Sequence, residues 1–132
     1  MQLLFENPHC RIFLDDTVPA LVQVWDGFVT GEPLRDAHEA TLRLLQTHQL
    51  GRILADTRAM RVIPRADQQW ITEHFLPRAL AAGFRRSAIL VAEDAFNRTS
   101  IQNILAQITP EEVFEARHFH DTEEARQWLR LG

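Results

Sequence analysis

An aspartate and three arginines crowd the stretch ILADTRAMRVIPRADQQW, residues 53–70: Asp56, Arg58, Arg61 and Arg65. An arginine fork grips a carboxylate or phosphate through two parallel N–H bonds. Pro64 opens a helical pattern whose first backbone N–H groups have no partners inside the helix. The chemistry on offer is the binding of a small anion. The plainer reading has Asp56 pinning a turn and pairing with Arg58 while the other arginines are solvated, an arrangement worth little energetically. Trp70 and Phe75 pose a similar choice, between lining an apolar ligand pocket and packing into a core at helical spacing.

Other chemistry is thinly supplied. His118 and His120 are two residues apart, as two ligands on one face of a strand would be, with Asp121 or Glu93 as a third. No further His or Cys spacing supports a metal, and none is expected. The one cysteine, Cys10, falls in an early apolar segment, where a thiol packs as a small hydrophobe. Serine occurs only at Ser87 and Ser100, and there is no G-x-S-x-G elbow, P-loop or G-x-G-x-x-G. No cofactor and no catalytic residue is assigned. A small enzyme or anion-binding protein using Asp56, Arg58 and His120 stands as the alternative.

The elements that must position these residues follow from periodicity. QLLFEN, CRIFLDD and ALVQVWDGFV read as three closely spaced strands, broken near Pro8 and between Asp15 and Pro19, and so as an antiparallel meander. Leu34, Ala37, His38, Thr41, Leu44, Leu45 and His48 then recur at helical spacing, with Gly51 beyond the end. RILAD is a short apolar run typical of a strand covered on both faces. A second helix is expected from about Pro64 to Ala82, burying Trp70, Ile71, Phe75, Ala79 and Leu80 and stopping at Gly83. Pro77 inside it should break the hydrogen-bond ladder near Leu76, either opening a crevice beneath the helix or only bending it around the core.

SAILVA reads as another buried strand. Ile101, Ile104, Leu105 and Ile108 mark a third helix that ends before Pro110, and VFEARHF is an edge strand. Asp121 with Glu124 caps a last helix that carries Ala125, Trp128 and Leu129 inward. Right-handed crossovers make the later strands parallel. The expected fold is α/β: a two-layer sandwich with a mixed sheet of five or six strands and four helices, one domain over residues 1–132. Ligands gather beyond the carboxyl ends of parallel strands. There the arginine stretch should meet Glu93, Asp94, Asn97, Arg98, His120 and Asp121. His38, His48 and His74 are read as solvated or boundary residues.

Composition narrows the partners. The 18 acidic residues outnumber 14 basic ones, and a net charge of -4 leaves no basic stripe for nucleic acid. A single cysteine forms no internal disulfide and fits a reducing, cytoplasmic setting. The first residues lack the basic start and apolar core of a signal peptide. No run approaches the roughly 20 apolar residues of a membrane span.

Four phrases carry a resemblance: VWDGFV (24–29), LADTR (54–58), QQWITEHFLPRALAAGFRRSAIL (68–90) and EARQWL (124–129). On these the chain resembles the small, single-domain bacterial members of the SpoIIAA-like group, relatives of anti-sigma-factor antagonists (STAS domains) and of CRAL-TRIO lipid-transfer domains. The resemblance implies a non-catalytic binding or regulatory module, docking a protein partner or holding a small apolar or amphipathic ligand. STAS antagonists carry a phosphorylated Ser or Thr where the helix after the central strand begins. The matching stretch, Ile63 to Asp67, has no hydroxyl, and Asp67 offers less charge and fewer acceptor oxygens than a phosphate. No phospho-switch is expected there. The candidate ligand-binding residues are Asp56, Arg58, Arg61, Arg65, Trp70 and Phe75. A homodimer through the meander's edge or the broken helix is the further partner expectation.

Overall fold

Six strands in sequence order, β1 to β6, form one mixed sheet in the computed structural model, which describes residues 1–131. Strands β1 (Gln2–Asn7), β2 (Cys10–Asp15) and β3 (Ala20–Gly27) pair antiparallel. The first turn is tight because the Asn7 side-chain oxygen accepts the backbone N–H groups of His9 and Cys10, both at 2.9 Å. Strands β4 (Arg52–Met60), β5 (Arg86–Leu90) and β6 (Glu115–Phe119) then add parallel to β3, each reached by a helical crossover. The crossovers are α1 (Glu32–His48), a broken helix, and α4 (Ala95–Leu105); α5 (Thr122–Arg130) closes the chain. The broken helix consists of α2 (Arg65–Trp70), a π-helical turn (Ile71–Phe75) and α3 (Leu76–Ala81). This is the expected mixed α/β sheet with four helices, the broken one counted once. None of the described helices is long and apolar enough to cross a membrane.

Strand alternation divides the core. Leu21 and Trp25 of β3 and Ile53 of β4 face α1, the broken helix and α4. Their neighbours Ala20, Val22 and Leu54, with Ala88 and Leu90 of β5, face Ala125, Trp128 and Leu129 of α5. The expected pairing of a sheet layer with a helix layer holds for the first three helices, and α5 covers the opposite face alone. Leu21, Leu34 and Leu45 on one side and Leu54, Leu90 and Leu129 on the other are fully buried. Each contributes about 1.5–3 kcal/mol relative to an exposed position.

Helix ends follow local chemistry, with one correction. Asp121 caps α5 as expected, accepting the Glu124 N–H at 2.9 Å. Gly83 ends α3 with φ +105°, while Phe84 donates back to the Ala79 carbonyl at 3.0 Å. Helix α1, however, stops at Gln49, which takes the left-handed conformation (φ 53°) as Leu50 donates to the Leu45 carbonyl at 2.9 Å. Gly51 serves close approach instead, since a β-carbon there would lie 2.5 Å from the Gly83 carbonyl oxygen. Helix α4 ends at Leu105, sooner than expected, leaving Ile108 half-buried in the turn beyond it.

Strand β4 also outruns its apolar segment. Its pairing with β5 stops at Asp56 opposite Leu90, yet its pairing with β3 continues to Met60 opposite Gly27. Between those rungs β4 carries an extra residue at Thr57–Arg58, a bulge that brings Thr57 and Met60 to the same face. Beyond the last rung with β5, the Thr57 hydroxyl donates to the Leu90 carbonyl at 2.6 Å. Asp56, Thr57 and Arg58 therefore lie within a bulged strand, where the sequence suggested a strand end leading into a loop.

The break in the second crossover helix falls where Pro77 predicts it, with regular α-helix resuming at Leu76. Asp67, Ile71, Phe75 and Ala79 are all buried. A strict four-residue period outruns a 3.6-residue helix by about a third of a turn across that stretch. The wider π turn absorbs the difference and keeps all four on one side. Trp70 and Leu80, expected inside, are half-buried.

Candidate functional site

A cavity of about 100 Å³ lies between the sheet and the broken helix. Its floor is the β3–β5 face carrying Gln23, Ala55, Thr57, Ser87 and Ile89; the bulge in β4 adds Met60. Ile71, Phe75 and Leu76 roof it on either side of the break in the helix, and Ile101, Ile104 and Leu105 of α4 form a wall. Phe84 and Phe114, edge to face at 4.9 Å, also border it. No Asp, Glu or Arg lines the space. The walls suit an uncharged, largely apolar occupant smaller than those of the ~300–1,000 Å³ sites typical of drug-sized ligands.

His38 is the site's buried titratable group, and it corrects the expectation of a solvated or boundary residue: only 8% of it is exposed. Its ring sits 5.2 Å from Trp25, 4.8 Å from Phe75 and 6.1 Å from Trp70, the last two edge-on. Nδ1 lies 2.9 Å from the Leu34 carbonyl, a bond that requires the proton on Nδ1. Burial drives the pKa down to about 4, against the opposing pull of that carbonyl, Glu39 and Asp67. His38 is therefore neutral at pH 7. Beside it, Gln23 donates to the Thr41 hydroxyl at 2.8 Å and accepts from the Trp25 indole at 3.3 Å. Periodicity placed His38 in the α1 stripe, and LVQVW and RSAIL show a polar residue inside an apolar strand; these were the available signals for Gln23, His38 and Ser87.

The sheet separates the residues that the sequence grouped. Phe75 lines the cavity; Trp70 is half-buried against His38, with the Arg35 guanidinium 5.6 Å from its ring. Asp56 and Arg58 alternate onto the α5 side of β4 and form a two-point ion pair at 3.0 and 2.9 Å. Arg58 is half exposed, so the pair contributes well under ~1 kcal/mol. Arg61, past the strand, lies 3.9 Å from Asp94 and is 71% exposed. Arg65 borders a surface groove of about 230 Å³ between the broken helix and α4. No hydrogen bond or ion pair among the described residues joins these arginines to one another.

His118 and His120 are both exposed, and the described residues include no group of three His, Cys, Asp or Glu placed to hold a metal ion. Cys10 is 2% exposed, and burial pushes its thiol up to about 12, which removes the thiolate needed for nucleophilic chemistry.

A second surface feature was not legible in the sequence. Phe28, Val62 and Phe96 are exposed, Phe96 by 73%. Their neighbours are tied together: the Arg61 N–H donates to the Gly27 carbonyl at 3.0 Å, and Asn97 donates to the Arg61 carbonyl at 2.8 Å. The loops that carry the three residues thus adjoin near the carboxyl ends of β3 and β4.

Comparison with known proteins agrees with this architecture. The model of the SpoIIAA-like family matches residues 21–130. A solved structure, an uncharacterised protein of the DUF3478 family with a SpoIIAA-like fold from Shewanella loihica PV-4, superposes with a TM-score of 0.60. It is 18% identical, over 96% of this chain and 98% of that one, which speaks to fold alone. No curated protein matches. The chain belongs to the SpoIIAA-like family, and its fold is that of a STAS-type module.

Proposed function

We propose that this member of the SpoIIAA-like family is a non-catalytic binding module that holds a small, uncharged, largely apolar molecule between its sheet and the broken helix. The observation that carries this reading is the cavity of about 100 Å³ under the π turn, lined without any Asp, Glu or Arg. Phe75, in the cavity wall, would contact the ligand directly. Native mass spectrometry of the purified protein should show a small added mass that leaves on denaturation. Ala55→Leu, which fills the cavity, should lose that mass while keeping a cooperative melt. Bare chain mass for both proteins overturns the reading.

The exposed Phe28, Val62 and Phe96 favour a second reading, a protein–protein contact in which two copies meet at the carboxyl edge beside Arg61. Sedimentation velocity should then show a dimer that Phe96→Ser converts to monomer. A monomer at every concentration removes this reading. The anion-binding alternative has less support, because Asp56 already occupies the Arg58 fork.

A further inference from the structure

We infer that the ligand of this cavity is a compact alcohol or phenol whose hydroxyl donates a hydrogen bond to Nε2 of His38. The inference rests on the reading of the cavity as a ligand site and names the chemistry it selects. Nδ1 is engaged by the Leu34 carbonyl at 2.9 Å, so in the neutral ring Nε2 is a bare acceptor. His38 is 8% exposed and lines the cavity, and Nε2 makes no hydrogen bond to the described residues, the ring's bond being through Nδ1. Burial keeps it neutral, with a pKa of about 4.

The other polar groups around the space fit the same occupant. The Thr57 hydroxyl has given its proton to the Leu90 carbonyl at 2.6 Å and can only accept from the cavity. Ser87, 8% exposed, has a hydroxyl with no partner among the described residues and can donate to a ligand oxygen. A hydroxyl both donates and accepts, so it can satisfy an acceptor such as His38 Nε2 and still accept from a donor lining the space. A carboxylate would meet two acceptors and no cation, and would lose its hydration without compensation. A hydrocarbon of the same shape would leave Nε2 unpaired in apolar surroundings.

The test compares phenol, benzene and benzoate as probes, titrated into the full chain. Binding is followed by calorimetry and by the ¹⁵N shift of His38 Nε2. Phenol should bind about tenfold more tightly than benzene, the worth of one buried hydrogen bond. It should also move the Nε2 resonance toward the hydrogen-bonded position, and benzoate should not bind. In His38→Phe, which keeps an aromatic ring in the cluster, phenol affinity should fall to that of benzene.

Equal affinity of phenol and benzene for the wild-type protein, with an unmoved Nε2 resonance, overturns the inference and leaves the cavity reading standing. Should none of the three probes bind, both fall together. The wild-type comparison decides the matter even if His38→Phe does not fold.

Discussion

Under α5, Ala88 and Leu90 of β5 meet Ala125, Trp128 and Leu129 directly. Across the sheet their neighbours Ser87 and Ile89 face open space. The α5 side is also tied at its margin: Arg126 reaches buried Asp15 at 2.8 Å, Thr17 at 2.8 Å and Glu123 at 3.0 Å. Arg86 and Arg117 each lie 5.4 Å from the Trp128 ring. On the cavity side, Trp25, His38 and Phe75 form a buttress of rings between sheet and helices. One set of strands, read at alternate residues, thus supports a filled face and a hollow one. The two faces differ in their cover: α5 alone packs onto one, while α1, the broken helix and α4 share the other with the rings of Trp25, His38 and Phe75 between them.

Large-to-small substitution should expose this contrast most strongly. Leu129→Ala removes a fully buried side chain from the filled face and should cost about 3–5 kcal/mol by urea denaturation. Ile104→Ala borders existing space and should cost about 2 kcal/mol. Equal losses would mean that the two faces are packed alike.

Acidification should undo the faces in sequence. The folded-state pKa of His38 is about 4 against an ordinary 6.5, so the unfolded chain takes up its proton first. Stability is therefore full above pH 6.5 and falls as pH drops toward 4, by about 3 kcal/mol. Asp15, on the other face, acts in the same direction but at lower pH. Burial works against its ionisation, but hydrogen bonds from Thr17 and Arg126 hold its carboxyl below the usual range. Its contribution persists to about the ordinary carboxylate pKa of 3.8 and is lost only below it. His38→Phe should flatten stability between pH 6.5 and 4 while leaving the lower limb intact. An unchanged profile would remove His38 as its cause.

Filling rather than emptying gives a smaller, signed test. Ala88→Leu forces extra methylenes into the filled face and should destabilise by about 1–3 kcal/mol. Ala55→Leu faces the cavity and should fall within about 1 kcal/mol of wild type, in either direction. The smallest effect is expected at the surface: Arg58→Ala should change thermal stability by less than ~1 kcal/mol. A larger loss would make the Asp56–Arg58 pair a structural tie of the bulge.

The order of elements was legible because apolar spacing changes cleanly from two to about four residues along the chain. The stop at Gly83 and the start at Asp121 were legible because their chemistry is local. LADTR was misjudged because β4 continues beyond its apolar run on pairing with β3 alone, and a buried Thr57 depends on a carbonyl 33 residues away. His38 stood in the right stripe, but its polarity suggested a place in solvent, and only the rings of Trp25, Trp70 and Phe75 around it reveal its burial. The grouping of Asp56 with Phe75 failed for a simpler reason: residues near one another in sequence were assigned to one site, while strand parity sends them to opposite faces.

The π turn has one further consequence, for the length of the chain. A helix whose buried positions recur every four residues holds its alignment only because one turn is overlong. Deleting a single residue between Ile71 and Phe75 would restore a regular helix in which Asp67 and Ala79 stand about 20° from alignment, so the segment after the turn would keep its face. Ala79 would stay toward the core and Arg78 toward Glu39 on α1, while the overlong turn that roofs the cavity would be gone. Substitutions within this turn leave the count of residues intact. A one-residue deletion removes the turn itself, so relatives that keep the cavity should keep the length of this segment while varying in residue type.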